Sequence, residues 1–481
     1  MKKNSVFSNF IWKLLERFGV QGVQFILQIV LARLLVPEHY GVLSLMIIFT
    51  TLANVFVQNG FNTALIQNKD VTENDYSSVF WVSLGIAVLL YAALFVFAPI
   101  IAGFYQMPDI VNPFRVLALM LIPGALNSVQ VAKISREMDF KKLFFSNVIG
   151  IVLSGITGIV IAYLGGGIWA LVVQNLLNVI IACIVMSFTV NCRIKLVCNI
   201  KRIKVLFSYG WKLLVSSLID TLYQDLSSLV IGKKYDSGML GYYNRGKQFP
   251  QFIINGVNGA IQSVLLPALS LKQDSKEQVK LIMRSSMTLS SYIIFPLMAG
   301  LAGVAEPLVS LLLTDKWLPC VPYLQIFCFS FAFWPVHTSN LQAINAIGRS
   351  DIFLKLEIIK KLYGVVVLVI AVFCFDSPIV IAATGAITTI ISCFVNAYPN
   401  KKLIGYSYLE QIKDILPAFV MSIVMFLVVY MIGKLNFGNI ILLVIQVLVG
   451  IVLYIALSVI FKVDSFKAIL ELVRNKKNGN L

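Results

Sequence analysis

Trp12-Lys-Leu-Leu-Glu-Arg-Phe-Gly-Val-Gln21 (WKLLERFGVQ) opens an apolar run that continues as GVQFILQIVLARLLV to Val36. The run is long enough to cross a bilayer, which takes about 20 apolar residues. Yet it carries Lys13, Glu16, Arg17, Gln21, Gln24 and Gln28. Each ionised group at bilayer depth costs roughly 2.5–3.5 kcal/mol on insertion scales. Three of them in one helix need water, protein or an anion opposite. The tetrapeptide that starts the run recurs as Trp211-Lys-Leu-Leu214.

Composition identifies the solvent. Of 481 residues 59% are hydrophobic and 13% charged, against about 25% charged in soluble domains. The chain is therefore read as an all-α polytopic membrane protein. Apolar runs place helices at 10–36, 40–63, 78–104, 113–135, 143–164 and 168–190, then at 206–231, 244–270, 280–313, 320–347, 353–375 and 378–398. A last pair falls at 412–433 and 438–461, giving about fourteen transmembrane helices. The first run is too long and too polar for a cleaved signal peptide.

The net charge of +17 is a matter of topology. With an even helix count both termini share one side. That side receives 28 of the 39 basic residues, among them Lys69, Lys133, Arg193, Lys280 and Lys401. The positive-inside rule puts it in the cytoplasm, and no nucleic-acid partner is expected.

Several chemistries are excluded. No outer connection exceeds roughly 15 residues, too short for a soluble catalytic domain. Cys183, Cys192, Cys198, Cys320, Cys328, Cys374 and Cys393 form no CxxC pair and mostly lie in apolar runs. His39 and His337 stand far apart with no metal-ligand spacing, so no metal is expected. Gly241-Tyr-Tyr-Asn-Arg-Gly-Lys-Gln248 has the frame of a phosphate loop but lacks its Ser/Thr and the preceding strand. No enzyme activity and no bound cofactor are expected.

An internal repeat organises the chain. Besides WKLL, Asn59-Gly-Phe-Asn-Thr-Ala-Leu65 recurs as Asn255-Gly-Val-Asn-Gly-Ala-Ile261, and Pro123, Gln130 and Asp139 match Pro335, Gln342 and Asp351. The matches are collinear across six helices. Six is even, so the two copies share one orientation in the membrane, with a substrate site expected between them. This gives a six-helix lobe over 1–200, a second over 201–403, and a helix pair with a cytoplasmic tail over 404–481.

Polar stripes mark that site. At 100° per residue, Lys13, Arg17, Gln21, Gln24 and Gln28 fall within about 80° on the first helix. The seventh carries Lys212, Ser216, Asp220, Gln224 and Ser227 on one face, with Asp225 elsewhere. The eighth carries Asn244, Gln248, Gln251, Asn255, Asn258 and Gln262 within about 80°. Thr51, Asn54, Gln58 and Asn62 make a looser stripe on the second. Isolated Asn147, Ser154, Asn175 and Asn178 read as hydrogen-bonding glue between helices. Stripes of four or more residues on repeat-related helices read as the wall of a water-filled cavity. Cations and amides there suit a phosphate with sugar hydroxyls.

Leu31-Ala-Arg-Leu-Leu-Val-Pro-Glu-His-Tyr-Gly-Val-Leu43, with Gln58-Asn-Gly-Phe61 and Ala64-Leu-Ile66, resembles the signature of Wzx-type flippases. These belong to the polysaccharide transport family, in the multidrug/oligosaccharidyl-lipid/polysaccharide exporter superfamily. The resemblance covers the whole chain and implies two six-helix lobes forming a V, plus an appended pair. It implies a cargo too: an undecaprenyl-diphosphate-linked oligosaccharide, moved across the membrane by alternating access without ATP for lipopolysaccharide or exopolysaccharide synthesis. A polysaccharide polymerase and export machinery would act downstream, and membrane lipid surrounds the cargo's tail.

Residue by residue, the resemblance sets Lys13 and Arg17 where related flippases place cavity arginines. Arg33 belongs to the signature but caps the helix end beside Glu38. Relatives that bind sodium use acidic and hydroxyl groups on helices seven, eleven and twelve, for which this chain offers Asp220, Asp225, Glu357, Thr384 and Thr388. Na+ or H+ coupling follows from that match, although Glu357 can equally pair with Lys360 or Lys361. Substrate binding is assigned to Lys13, Arg17, Gln24, Gln28, Lys212, Asn244, Gln248, Gln251 and Asn255. A drug or cation antiporter of the same superfamily would favour an acidic, aromatic cavity. A membrane glycosyltransferase or polymerase would need catalytic carboxylates and a sizeable outer loop.

Overall fold

In a computed structural model the structure describes residue 12 and residues 15–68, 70–190 and 194–477; Lys69, Cys192 and Arg193 lie outside them. The described elements are helical, with no strand among them. A π turn over Leu15–Gly19 leads into α1 (Val20–Leu34), then α2 (Pro37–Gln67) and α3 (Glu73–Phe104). A 3-10 turn at Pro108–Ile110 precedes α4 (Val111–Ala118) and α5 (Leu121–Glu137), followed by α6 (Phe140–Tyr163), α7 (Ile168–Thr189) and α8 (Ile200–Lys234). Next come α9 (Ser237–Ser270), α10 (Lys276–Gly303) and α11 (Ala305–Leu313), a 3-10 turn at Asp315–Cys320, then α12 (Val321–Ala332) and α13 (Trp334–Ala346). The chain finishes with α14 (Ser350–Cys374), α15 (Pro378–Ile404), α16 (Tyr408–Ile432), α17 (Asn439–Ile460) and α18 (Asp464–Lys477).

Among the described residues the fourteen apolar runs are largely helical, but fewer qualify as crossings. Among the described residues eleven helices are long and apolar enough to span a bilayer, or twelve if the bent α8 is one span. The expected count of about fourteen is therefore not confirmed among the described residues. α1 has 15 residues, and α14 carries Lys355, Glu357, Lys360 and Lys361 in its first half, which lowers its hydropathy. α18 was not foreseen. It is a basic, amphipathic helix whose Phe466 and Ile469 close one end of an apolar groove of about 530 Å³ between α10, α16 and α17.

By packing, the chain divides into two units, Met1–Gly241 and Tyr242–Leu481. In the first, Phe61, Leu65, Tyr76, Val79, Val129 and Leu206 form a core where α2, α3, α5 and α8 meet. The α6–α7 pair shows why apolar helices associate in lipid. Small residues recur every fourth position on α6 at Ser146, Gly150, Ser154, Gly158 and Ala162, and all are buried. A Cβ at Gly158 would lie 2.9 Å from Gln174 Cβ, and one at Gly150 3.0 Å from Asn178 Oδ1. Close backbone approach supplies the dispersion contacts that the hydrophobic effect cannot supply between helices in a membrane.

The sequence repeat has a backbone counterpart. α1 ends at Leu34 and α8 at Lys234; α2 starts at Pro37 and α9 at Ser237. The two corners use the same cap, with Leu35 N–H donating to Leu31 O and Tyr235 N–H to Ile231 O. The α5 and α13 ends also correspond. Each closes through a left-handed residue, Met138 at φ 58° and Gly348 at φ 74°. Beyond it, Asp139 N donates to Ile134 O and Arg349 N to Ile344 O, both at 3.1 Å, the 6→1 closure of a Schellman turn.

Candidate functional site

The first helix is anchored on α6. Trp12 lies 5.8 Å and 5.7 Å from the rings of Phe144 and Phe145, with Lys141 Nζ 5.4 Å over its face. Gly19 lets the chain pass against Phe144, and Leu27 fills the notch at Gly155. Lys13 lies outside the described residues. Arg17 sits in the π turn, and its side chain is likewise outside them. A π turn closes i→i+5 bonds and takes more residues per turn than an α-helix. The continuous arc drawn from Lys13 to Gln28 is therefore interrupted at Leu15–Gly19. Beyond the turn Gln24 is exposed and Gln28 half-buried.

α8 is bent by 54° between Ile200–Ser208 and Gly210–Lys234. Its first segment is clamped to α3. Arg202 reaches the Asp75 carboxylate with Nε at 3.0 Å and Nη2 at 3.0 Å, and Nη2 also donates to Asp70 O at 2.6 Å. The same carboxylate accepts from Thr72 N and Oγ1, completing a capping box on α3. Past the bend Lys212 and Gln224 are exposed, and Asp220 and Asp225 are half-buried.

On α9 the amide stripe persists, with Asn244, Gln248, Gln251 and Asn255 all half-buried. Two of its members are tied down inside the second unit. Arg245 Nη1 donates to Gln248 Oε1 at 2.6 Å, and Thr338 Oγ1 to Asn258 Oδ1 at 2.6 Å. Arg245 is only 4% exposed, with its guanidinium 5.0 Å from the Trp317 ring centre. Sequence reasoning missed this buried cation because Trp317 lies far along the chain. Its place beside Asn244 was the available signal.

The acidic candidates are divided between the two units. Asp220 and Asp225 belong to the first unit, Glu357 and Thr388 to the second. Glu357 is ion-paired with Lys360. Thr388 Oγ1 donates to Gly385 O at 3.1 Å, while its carbonyl accepts from Tyr363 OH at 3.3 Å. Thr384 is buried and bonded to Ile381 O. Arg33 is exposed at the end of α1. The repeat-related acids Asp139 and Asp351 are each paired, with Lys142 at 3.0 Å and Arg349 at 2.8 Å. The Arg349 guanidinium holds the Asp351 carboxyl well below the usual carboxylate range. Among the described residues no group of three His, Cys, Asp or Glu side chains could hold a metal ion.

A sequence model of the polysaccharide biosynthesis protein family matches residues 30–322. The teichuronic acid biosynthesis protein TuaB of Bacillus subtilis is 25% identical over 308 residues, 63% of each chain, so this chain spans just under two thirds of that relative. The succinoglycan biosynthesis transport protein ExoT of Rhizobium meliloti is 22% identical over 86% of this chain and 81% of its own. The lipopolysaccharide biosynthesis protein WzxC of Escherichia coli is 23% identical over 88% and 86%. Among solved structures, the lipid II flippase MurJ in an inward closed conformation superposes with a TM-score of 0.73 at 14% identity, covering 94% of this chain and 98% of MurJ. An inward-facing multidrug resistance MATE family transporter gives 0.59 at 16% identity, covering 81% and 98%. The fold is shared with both.

Proposed function

The chain belongs to the polysaccharide biosynthesis protein family, and on that premise we propose that it is a flippase for oligosaccharides linked to undecaprenyl diphosphate. It works by alternating access in a bacterial cytoplasmic membrane, with both termini in the cytoplasm, and performs no covalent chemistry. The observation that carries this reading is the row of half-buried amides on α9, Asn244, Gln248, Gln251 and Asn255. Amides offer paired donors and acceptors, the complement of sugar hydroxyls. Lys13, Arg17 and Lys212 supply charge for the diphosphate, and Gln24 and Gln28 extend the polar wall. The lipid tail stays in the bilayer. A polymerase and export machinery receive the flipped unit. A drug or cation antiporter fits less well, because basic groups and amides repay an organic cation poorly.

The test is a deletion strain analysed by mass spectrometry. Lipid-linked oligosaccharide should accumulate, protected from a sugar-modifying reagent applied from outside, and the wild-type gene should clear it. An undisturbed lipid-linked pool would sink the reading, as would extrusion of an organic cation such as ethidium by the purified protein without any effect on that pool.

A further inference from the structure

Past its last span the chain turns sharply. α17 closes on Lys462, left-handed at φ 51°, and Val463 N donates to Ser458 O at 3.2 Å, the 6→1 bond of a Schellman turn. Val463 O then accepts from Phe466 N at 3.1 Å and Lys467 N at 3.3 Å, so α18 starts at once. Continued straight, the helix would carry Ile469 about 21 Å beyond Ile455, at 1.5 Å per residue. Instead both residues line the groove between α10, α16 and α17. α18 therefore lies across the end of these helices and does not project from them.

The residues of α18 are sorted by side. Ile469, Phe466 and Leu470 fall in an arc of about 100° on the helix. Phe466 and Ile469 are half-buried at the end of the groove, but Leu470, on the same face, is 51% exposed. The apolar face is wider than the protein surface it covers. Lys467 stands at one edge of that face, about 100° from Phe466, and Asp464 and Glu471 lie beyond it on the polar side. Lys467 reaches Asp464 at 3.4 Å with both side chains exposed, a contact too weak to keep the ammonium from another anion. Over 462–477 the basic residues are Lys462, Lys467, Arg474, Lys476 and Lys477, against two acidic ones.

We propose that α18 binds the anionic lipid surface of the membrane that α17 crosses, with Leu470 at the acyl boundary and Lys467 on lipid phosphate. An apolar arc, a cation at its edge and acids on the far side are the layout of a helix lying in the interface. A lysine at that edge runs its stem along the acyl region and its ammonium up to the phosphates, and a surplus of cations draws the helix to anionic lipid. Lipid is the occupant because the neighbouring surface already faces lipid. Leu297, Val447, Ile451 and Ile455 line the groove and are exposed on α10 and α17, both of which are long and apolar enough to cross a bilayer. Leu470 continues that surface past the end of the groove. Cations in the last turn of a helix also complement its dipole, but that pairing needs no lipid. The proposal needs no cargo and stands apart from the flippase reading.

The first test places the helix. Full-length protein carrying a spin label at Leu470→Cys, in a cysteine-free background, is put into nanodiscs. One set is phosphatidylcholine alone, and the other holds about one third phosphatidylglycerol as the anionic lipid. Collisions with oxygen and with a water-soluble nickel chelate report depth. In the anionic discs the label should sit at the acyl boundary. It should move toward water in about 1 M salt, where the screening length falls to about 3 Å, and in the variant with Lys467, Arg474, Lys476 and Lys477 all changed to Gln. A label in water in both lipids overturns the proposal and leaves the face to a soluble partner. A label equally deep in both lipids, and unmoved in the neutral variant, overturns the part assigned to the anionic headgroup.

The second test keeps the native cysteines. Protein is extracted from membranes of the same mixed lipid, and the lipids it retains are counted by native mass spectrometry. Wild type should retain phosphatidylglycerol over phosphatidylcholine at least about threefold more strongly than the neutral variant, since each Lys or Arg near an anionic surface adds to binding. Equal selection by the two proteins overturns the proposal. Lower thermal stability of the variant with unchanged lipid selection does so as well, and assigns the cations to the helix dipole.

Discussion

Gly41 and Gly241, equivalent positions in the repeat, meet backbone to backbone. A Cβ on Gly41 would lie 1.7 Å from Ser237 O and 3.0 Å from Gly241 N, and one on Gly241 would lie 2.1 Å from Pro37 O. Backbone cannot rotate out of the way as a side chain can, so any Cβ forces the starts of α2 and α9 apart. Gly41→Ala and Gly241→Ala should each destabilise the protein by about 2 kcal/mol or more. Gly85→Ala, with nothing within 4 Å of the new methyl, should leave it unchanged. Thermal unfolding in detergent tests the contrast, and a Gly41→Ala protein as stable as Gly85→Ala refutes the tight crossing.

The Arg202–Asp75 clamp predicts a graded series. Asp75 is 3% exposed and Arg202 33% in their side chains. A fully buried pair broken on one side loses about 3–5 kcal/mol, and screening at Arg202 brings the expected loss for Asp75→Ala to about 2–3 kcal/mol. Arg202→Lys keeps the charge but not the two-pronged contact, and should lose less than Asp75→Ala. Folded yield in the membrane should follow the order wild type, Arg202→Lys, Asp75→Ala. Equal yields would mean that the start of α8 is held by other contacts.

Why some of this was legible in the sequence follows from what each feature requires. Helices at membrane depth need runs of apolar residues, so the eleven or twelve crossings among the described residues showed, and WKLL marked equivalent helices because both copies kept a Trp-Lys pair. The π turn at Leu15–Gly19 did not show, since it adds a fraction of a residue to one turn and leaves composition untouched. The α18 helix was legible in principle, but its lysines drew attention to charge rather than to the spacing of Phe466, Ile469 and Leu470. Arg245 was out of reach because Trp317 is distant in the chain, and only tertiary packing brings them together. Asn258 marks the opposite case. The stripe was visible, but periodicity alone could not tell an amide facing open space from one bonded to Thr338.

The charges that opened the sequence lead to a third prediction. If Arg17 holds diphosphate, its charge matters more than its volume. Arg17→Gln should lose most export per folded molecule, and Arg17→Lys should keep part of it. Lys13→Gln should behave like Arg17→Gln. Full activity per folded molecule in both neutral variants, measured as export normalised to folded protein, would make the two cations scaffold.

The α9 stripe supplies the last. Asn258 is 8% exposed and accepts from Thr338 Oγ1 inside the second unit, whereas Gln251, on the same face two turns earlier, is half-buried. Removing the Asn258 amide strands a buried hydroxyl, so Asn258→Ala should destabilise by about 1–3 kcal/mol with export per folded molecule preserved. Gln251→Ala leaves no buried partner stranded and should cost little stability. If Gln251 contacts the glycan, export should fall several-fold at normal abundance, in line with about 0.5–1.5 kcal/mol for one lost hydrogen bond. The pair of measurements separates wall from scaffold along one helix. Should Gln251→Ala export normally while Asn258→Ala does not, the substrate lies elsewhere on α9 than the amide row implies.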